Sequence, residues 1–279
     1  MRLPRLFRRR TSALVGAIIL SVVALAALFA PALAPYDPIK VRPTEALSPP
    51  TRAHPFGTDQ YGRDIFSRAI TGARLSLLTG LGAVAVALAA GVVVGLACGV
   101  IGGWTDLLVM RVVDIMMAFP GILMALVVVA VLGQGTANVM LAVGVSLIPT
   151  FVRLVRGDVL SVRENAYVEA ARALGCWPAR VALRHVLPNV VAPIIVISTV
   201  AIAWSIILGA SLSFLGLGPR PPIPEWGIDL SSGRNYLLRA WWISSVPGFC
   251  IMLTVVAVNL VGDALRDELD PRLRSLANL

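Results

Sequence analysis

Charge is what this sequence has least of. Only 14% of its 279 residues are Asp, Glu, Lys or Arg, against about 25% in soluble domains. With 57% hydrophobic residues and a mean hydropathy of +0.84, an ordinary soluble enzyme and a disordered chain are both excluded. Lysine occurs once, as Lys40, followed by Val41. The G-x-x-x-x-G-K-[ST] phosphate loop is therefore absent, and with it ATP hydrolysis by that route. The other 23 basic residues are Arg, separated by long uncharged tracts instead of gathered on one face. That pattern argues against nucleic-acid binding despite the net charge of +9. Cys98, Cys176 and Cys250 form no C-x-x-C pair, and His54 and His185 have no ligand-type neighbours. Neither a disulfide framework nor a metal centre is expected.

The uncharged tracts organise the chain. They hold 26 residues between Arg10 and Asp37, 31 between Arg74 and Asp106, and 38 between Asp114 and Arg153. Two more hold 35 between Arg184 and Arg220, and 23 between Arg239 and Asp263. A membrane helix needs about 20 residues to cross ~30 Å of hydrocarbon. Four tracts accommodate one span each. The 38-residue tract is two spans joined by a hairpin at Gly133-Gln134-Gly135-Thr136-Ala137-Asn138, which makes six in all. The stretch from Ala13 to Ala34 follows three arginines and ends in a small-residue triplet, as a secretory signal does. It exceeds the ~7–15 residues of a signal core and is followed by Pro35, so it reads as an uncleaved anchor. Segments 1–12, 100–114, 153–189 and 263–279 carry 15 basic residues, and segments 35–74, 133–138 and 216–240 carry 9. That bias places both termini inside. No span has a charge at its centre, where ion-coupled carriers keep one. Arg111 and Asp114, three apart, are placed to pair on one helix face.

The segment from Arg163 to Asn189 is the most informative. Ala and Leu favour a helix up to Leu174, and Gly175 suits the position just past its end. Pro178 suits the first turn of a second helix, which Pro188 ends or bends into the next span. Tyr167, Ala170, Ala171 and Leu174 recur three and four apart as one small, apolar face, surrounded by Glu164, Glu169, Arg172, Arg180 and Arg184. Such a face seats in a groove on another protein, or lies on lipid headgroups.

Glu169-Ala170-Ala171 followed by Gly175, then by Leu187-Pro188, resembles the E-A-A-x-x-x-G loop of the inner-membrane subunits of ABC importers. Three further stretches are similar to the dipeptide/oligopeptide permease subgroup. The first runs from His54-Pro55-Phe56-Gly57 through Asp59, Tyr61-Gly62-Arg63-Asp64 and Ser67-Arg68 to Gly72-Ala73-Arg74. The second is Leu212-Ser213-Phe214-Leu215-Gly216-Leu217-Gly218 with Pro221-Pro222 and Pro224-Glu225-Trp226-Gly227. The third is Gly262-Asp263-Ala264-Leu265-Arg266-Asp267 with Leu269-Asp270-Pro271-Arg272. The pattern is nearest the second, shorter permease subunit of that type, although Cys176-Trp177 after Gly175 is bulkier than usual. The outer motifs also have plain structural readings. Gly57, Gly62 and Asp59 suit turns, and Trp226 suits a membrane-interface anchor.

The resemblance implies an all-α membrane protein with the six-span type I ABC importer fold and both termini inside. Residues 1–73 would form the N-terminal tail, first span and outer segment. Residues 74–263 would form the five-helix permease core, with a coupling loop at 156–188, and 264–279 an inner tail. It implies a non-catalytic subunit of the cytoplasmic (inner) membrane of a bacterium. Its partners would be a homologous second permease, two ATPase subunits that bind ATP and magnesium, and an outer substrate-binding protein. Glu164, Tyr167, Glu169, Ala170, Ala171, Arg172, Leu174 and Gly175 would couple to an ATPase, with Glu169 orienting the loop. No cofactor is implied in this chain. The cargo would be dipeptides or oligopeptides, with nickel, glutathione or haem as alternatives. A self-contained carrier or channel is the rival from another class.

Overall fold

The computed structural model describes residues 3–269. Among them the only β-pairing is an isolated bridge between Thr58 and Asp64; the architecture is helical throughout. Helix α1 (Leu3–Leu28) and the short α2 (Ala30–Leu33) lead into an irregular segment with one 3₁₀ turn at Pro43–Glu45. Helix α3 (Ile65–Ile101) is followed by α4 (Gly103–Met117), α5 (Gly121–Leu132) and α6 (Thr136–Arg163). Then come α7 (Ala166–Ala173), α8 (Pro178–Arg180), α9 (Leu187–Phe214), α10 (Trp226–Gly233) and α11 (Trp242–Leu269).

Five helical stretches are long and apolar enough to cross a membrane: Thr11–Leu28, α3, α6, Pro178–Phe214 and α11. The sixth candidate is not a straight span. Helices α4 and α5 meet at 94°, and α5 with its 12 residues is only about 18 Å long. Pro120 stands at the bend, where it lacks an amide N–H and keeps Phe119 from continuing the helix. The hairpin expected at Gly133–Asn138 is shorter than its polar residues indicate, because α6 already begins at Thr136.

Close packing of α3 on α6 forms the centre of the bundle. Gly91, Gly95 and Gly99 stand one turn apart on α3, and the α6 backbone presses against them. A β-carbon at Gly95 would lie 2.8 Å from both Val152 O and Val155 Cβ. Small residues at this spacing let helices approach where lipid offers no hydrophobic drive. One apolar cluster joins α3, α5, α6 and α9 through Ala83, Ala87, Val129, Val143, Phe151 and Leu212. Helix α1 lies against α11, with Gly16 against Leu260 and Ala257.

The two ends of the bundle differ. At one end the 34–64 segment folds over the start of α3, and the Gly135 amide bonds to the Leu217 carbonyl beyond α9. At the other end lie α7, α8 and the junction into α9. The helix begun by Pro178 is not ended by Pro188. Residues Val181–Val186 are π-helical, and the Leu187 amide reaches back to the Ala182 carbonyl. This wider turn carries the chain past the proline without a break. The coupling loop read at 156–188 thus opens with the last turns of α6 and closes within this continuous helix. Residues 270–279, most of the expected inner tail, lie outside the described residues.

Candidate functional site

Helix α7 is short, at eight residues, and cannot hold itself in place by backbone bonding alone. Two side chains fix it. Val168 is fully buried and Ala171 is 7% exposed. Val168 belongs to a cluster with Leu96 of α3, Val155 and Val159 of α6, Val181 and Val186 of the π segment, and Val190 and Ile194 of α9. The four residues read as one face are therefore divided. Ala171 turns into the bundle, and Tyr167, Ala170 and Leu174 remain exposed. Leu174 is 85% exposed and Trp177, just beyond it, 81%. Sequence reasoning missed Val168 as the anchor and Trp177 as the extension of the free face. The spacing of Val168 and Ala171 with Val181, Val186 and Val190 was the available signal.

The end of α7 carries two hydrogen bonds that define the turn. Cys176 N–H donates to Ala171 O at 3.1 Å and Gly175 N–H to Arg172 O at 2.9 Å. This is the Schellman arrangement, with Gly175 in the left-handed region at φ +80°. No neighbouring atom lies where a Gly175 β-carbon would stand, so backbone conformation alone selects glycine. The side chains of Glu164, Glu169 and Arg172 are exposed and make no hydrogen bond or ion pair among the described residues. The loop-orienting role expected of Glu169 has no partner within them.

The expected Arg111–Asp114 pair does not form. Asp114 pairs instead with Arg153 of α6, and Asp106 receives both Nε and Nη2 of Arg156, the latter at 2.6 Å. A tertiary partner replaces the local one because these faces of α4 and α6 meet in the bundle.

The opposite end is a dense polar network. Arg68 Nε donates to Asp229 at 3.0 Å, and its Nη1 donates to Pro38 O at 2.8 Å and Pro222 O at 3.2 Å. Asp64 caps α3 by accepting from Ser67 N–H at 2.8 Å and faces His54 Nδ1 at 2.9 Å. Asp59 accepts from the Tyr61 and Arg63 amides within its own turn, as its turn reading requires. Trp226 is not an interface anchor. It is 1% exposed, and its indole N–H donates to Ala69 O at 2.9 Å. Beside it Glu225 caps α10, accepting from Ile228 N–H at 3.0 Å and from Ser76 at 3.1 Å. Burial pushes the Glu225 carboxyl above its ordinary range, against the opposing hydrogen bonds of Gly227, Ile228 and Ser76. Among the described residues no group of three or more His, Cys, Asp or Glu side chains is placed to hold a metal ion.

Residues 91–275 match the family described as binding-protein-dependent transport system inner membrane component. The chain belongs to this family. Residues 5–50 also match the N-terminal TM domain of oligopeptide transport permease C. The chain is 45% identical over 268 residues to the dipeptide transport system permease protein DppC of Alkalihalophilus pseudofirmus, covering 96% of this chain and 88% of that one. It is 43% identical over 277 residues to the di/tripeptide permease DppC of Pseudomonas aeruginosa, covering 97% and 91%. It is 44% identical over 272 residues to the glutathione transport system permease GsiD of Pectobacterium atrosepticum, covering 97% and 90%. As a member of this family the chain is a multi-pass inner-membrane component of a transport system.

Proposed function

We propose that this chain is the permease subunit of an ATP-driven importer of short peptides, and that α7 is where a separate ATPase takes hold of it. The observation that carries the reading is the division of α7. One side is locked into the bundle by the buried Val168 and Ala171, and the other leaves Tyr167, Ala170 and Leu174 exposed, with only a 3.5 Å bond from the Tyr167 hydroxyl to the His185 carbonyl along its edge. A push on the free side is delivered through Val168 to α3, α6 and α9 together, because all three contribute to the same cluster. Rigid-body displacement of those spans would alternate access between the two sides. The engine must be external, since the sequence contains no phosphate loop.

The bent α4–α5 pair counts as one crossing in this reading, which gives six spans with both termini inside. The α7 end then faces the cytoplasm, where the ATPases are, and the Arg68 network faces a substrate-binding protein outside. A homologous second permease completes the pathway, with two ATPase subunits. Residues 1–73, 74–263 and 264–279 remain the tail-and-outer-segment, core and inner-tail divisions of this arrangement. Cargo follows from the relatives, two of which are named for dipeptides or di/tripeptides. A second reading, glutathione, is supported by relatives of comparable identity. Glutathione is itself a modified tripeptide, so the two readings share one cargo class.

The test is purification of the tagged chain from native membranes with identification of its companions. Two ATPases, a second permease and an outer binding protein are expected, with peptide uptake that stops on ATP depletion. Uptake that survives ATP depletion would establish a self-contained carrier instead. Orientation is read separately with an impermeant thiol reagent. Leu238→Cys, at a fully exposed position between α10 and α11, should label in intact cells, and Cys176 should label only after permeabilisation.

A further inference from the structure

Helix α4 presents an exposed apolar side that no described element covers. Val113 is its one buried residue and marks the inward face. At 3.6 residues per turn, Trp104, Leu108, Arg111 and Ile115 fall on the opposite face. Trp104, Leu108 and Ile115 are 78%, 62% and 63% exposed. Arg111 sits among them, exposed and with its guanidinium in no hydrogen bond or ion pair among the described residues, because Asp114 is taken by Arg153.

The depth of this face follows from α6. Counted from Thr136, Arg153 stands about 26 Å and Arg156 about 30 Å along the helix. Hydrocarbon is ~30 Å thick. The two ion pairs that hold α4 therefore lie at the boundary of acyl chains and headgroups on the α7 side. Asp106 and Asp114 are about 12 Å apart along α4, while their partners are about 4.5 Å apart along α6. So α4 crosses α6 obliquely, in keeping with its 94° bend from α5. A helix slanting through that boundary, with Trp and aliphatic side chains around one unpaired cation, has the makeup of an interfacial lipid-binding helix.

We propose that the outward face of α4 rests in the headgroup–acyl boundary of the leaflet on the α7 side, and that Arg111 binds the phosphate of an anionic phospholipid there. Charge selects this occupant: a bare guanidinium on an apolar face complements an anionic headgroup, with the tails covering Leu108 and Ile115. The proposal rests on the membrane placement of the chain, and not on cargo or ATPase docking.

The complete transporter is purified in mild detergent with added phosphatidylglycerol, and native mass spectrometry reads the lipid retained. Arg111→Gln should weaken retention roughly five-fold, the effect of one basic residue near an anionic surface. Arg111→Lys should preserve most of it, and Arg239→Gln at the opposite end should leave it unchanged. Equal retention by Arg111→Gln and the parent would overturn the proposal. Independently, a photoreactive benzoylphenylalanine replacing Leu108 in bilayer-embedded transporter should gain the mass of a phospholipid on illumination. Crosslinking to another protein chain would overturn the proposal and make this face a subunit contact.

Discussion

Arg68, in the first turn of α3, and Asp229, in α10, form an ion pair across 161 residues of chain, with Arg68 Nε 3.0 Å from the carboxylate. Both are buried, at 3% and 8% exposure. The same guanidinium holds the carbonyls of Pro38 and Pro222. Two motifs read separately in the sequence, one before α3 and one after α9, thus close on a single side chain. Removing one partner of a buried pair leaves the other charge uncompensated. Arg68→Met should destabilise the purified transporter by about 3–5 kcal/mol, and adding Asp229→Asn should recover part of that loss. Denaturation midpoints of the two variants against the parent check this; equal midpoints for the single and double variants would contradict it.

Glu225 gives a pH dependence with a defined sign. Burial raises its folded-state pKa above the unfolded value, so the fold favours the protonated carboxyl. Its stabilising contribution is complete below the unfolded value near 4.5 and is lost as pH rises through the raised folded value. Glu225→Gln keeps the neutral form and the acceptor for Ile228 N–H. The variant and the parent should be similarly stable in acid, and the variant should gain relative to the parent as pH rises. Melting temperatures across that range check the sign, and a gap that narrows with rising pH would contradict it.

Gly175 is selected by conformation and not by space, which separates two kinds of substitution. Gly175→Asn tolerates the left-handed region and should retain most transport. Gly175→Val places a β-branched residue at φ +80° and should uncouple transport while leaving membrane insertion intact. Peptide uptake together with the amount of each variant in the membrane distinguishes them; full transport by Gly175→Val would refute the assignment.

Val168→Ala tests the other side of α7. The lost methyl groups and the void they leave should cost about 2 kcal/mol, and uptake should fall with α7's hold on the bundle. Leu174→Ala, on the free face, should leave stability within about 0.5 kcal/mol of the parent. Thermal unfolding of both variants reads the contrast.

Much of this was legible from charge alone. The uncharged tracts locate α1, α3, α6, α9 and α11 because a bilayer tolerates few interior charges. Gly175 was legible because a helix end needing positive φ is a local requirement. The bend between α4 and α5 had a local sign in Pro120, but its angle is set by Asp106 and Asp114 reaching Arg156 and Arg153 on a distant helix. The same tertiary contact removed Arg111 from the pair expected of it. Trp226 has an anchor's position in the sequence, yet it is buried because Ala69 O and Ser76 of α3 provide partners that no local pattern announces. On α7 the spacing showed an apolar face, but only the bundle decides that Ala171 belongs inside and Leu174 outside.

If the ATPase binds the free face of α7, a charge placed there by Leu174→Asp should release it. The variant transporter is purified through a tag on the second permease, and the subunit ratios are measured. Both permease chains should be recovered at parental levels, with the ATPase lost or sharply reduced. Recovery of the ATPase at the parental ratio would contradict it.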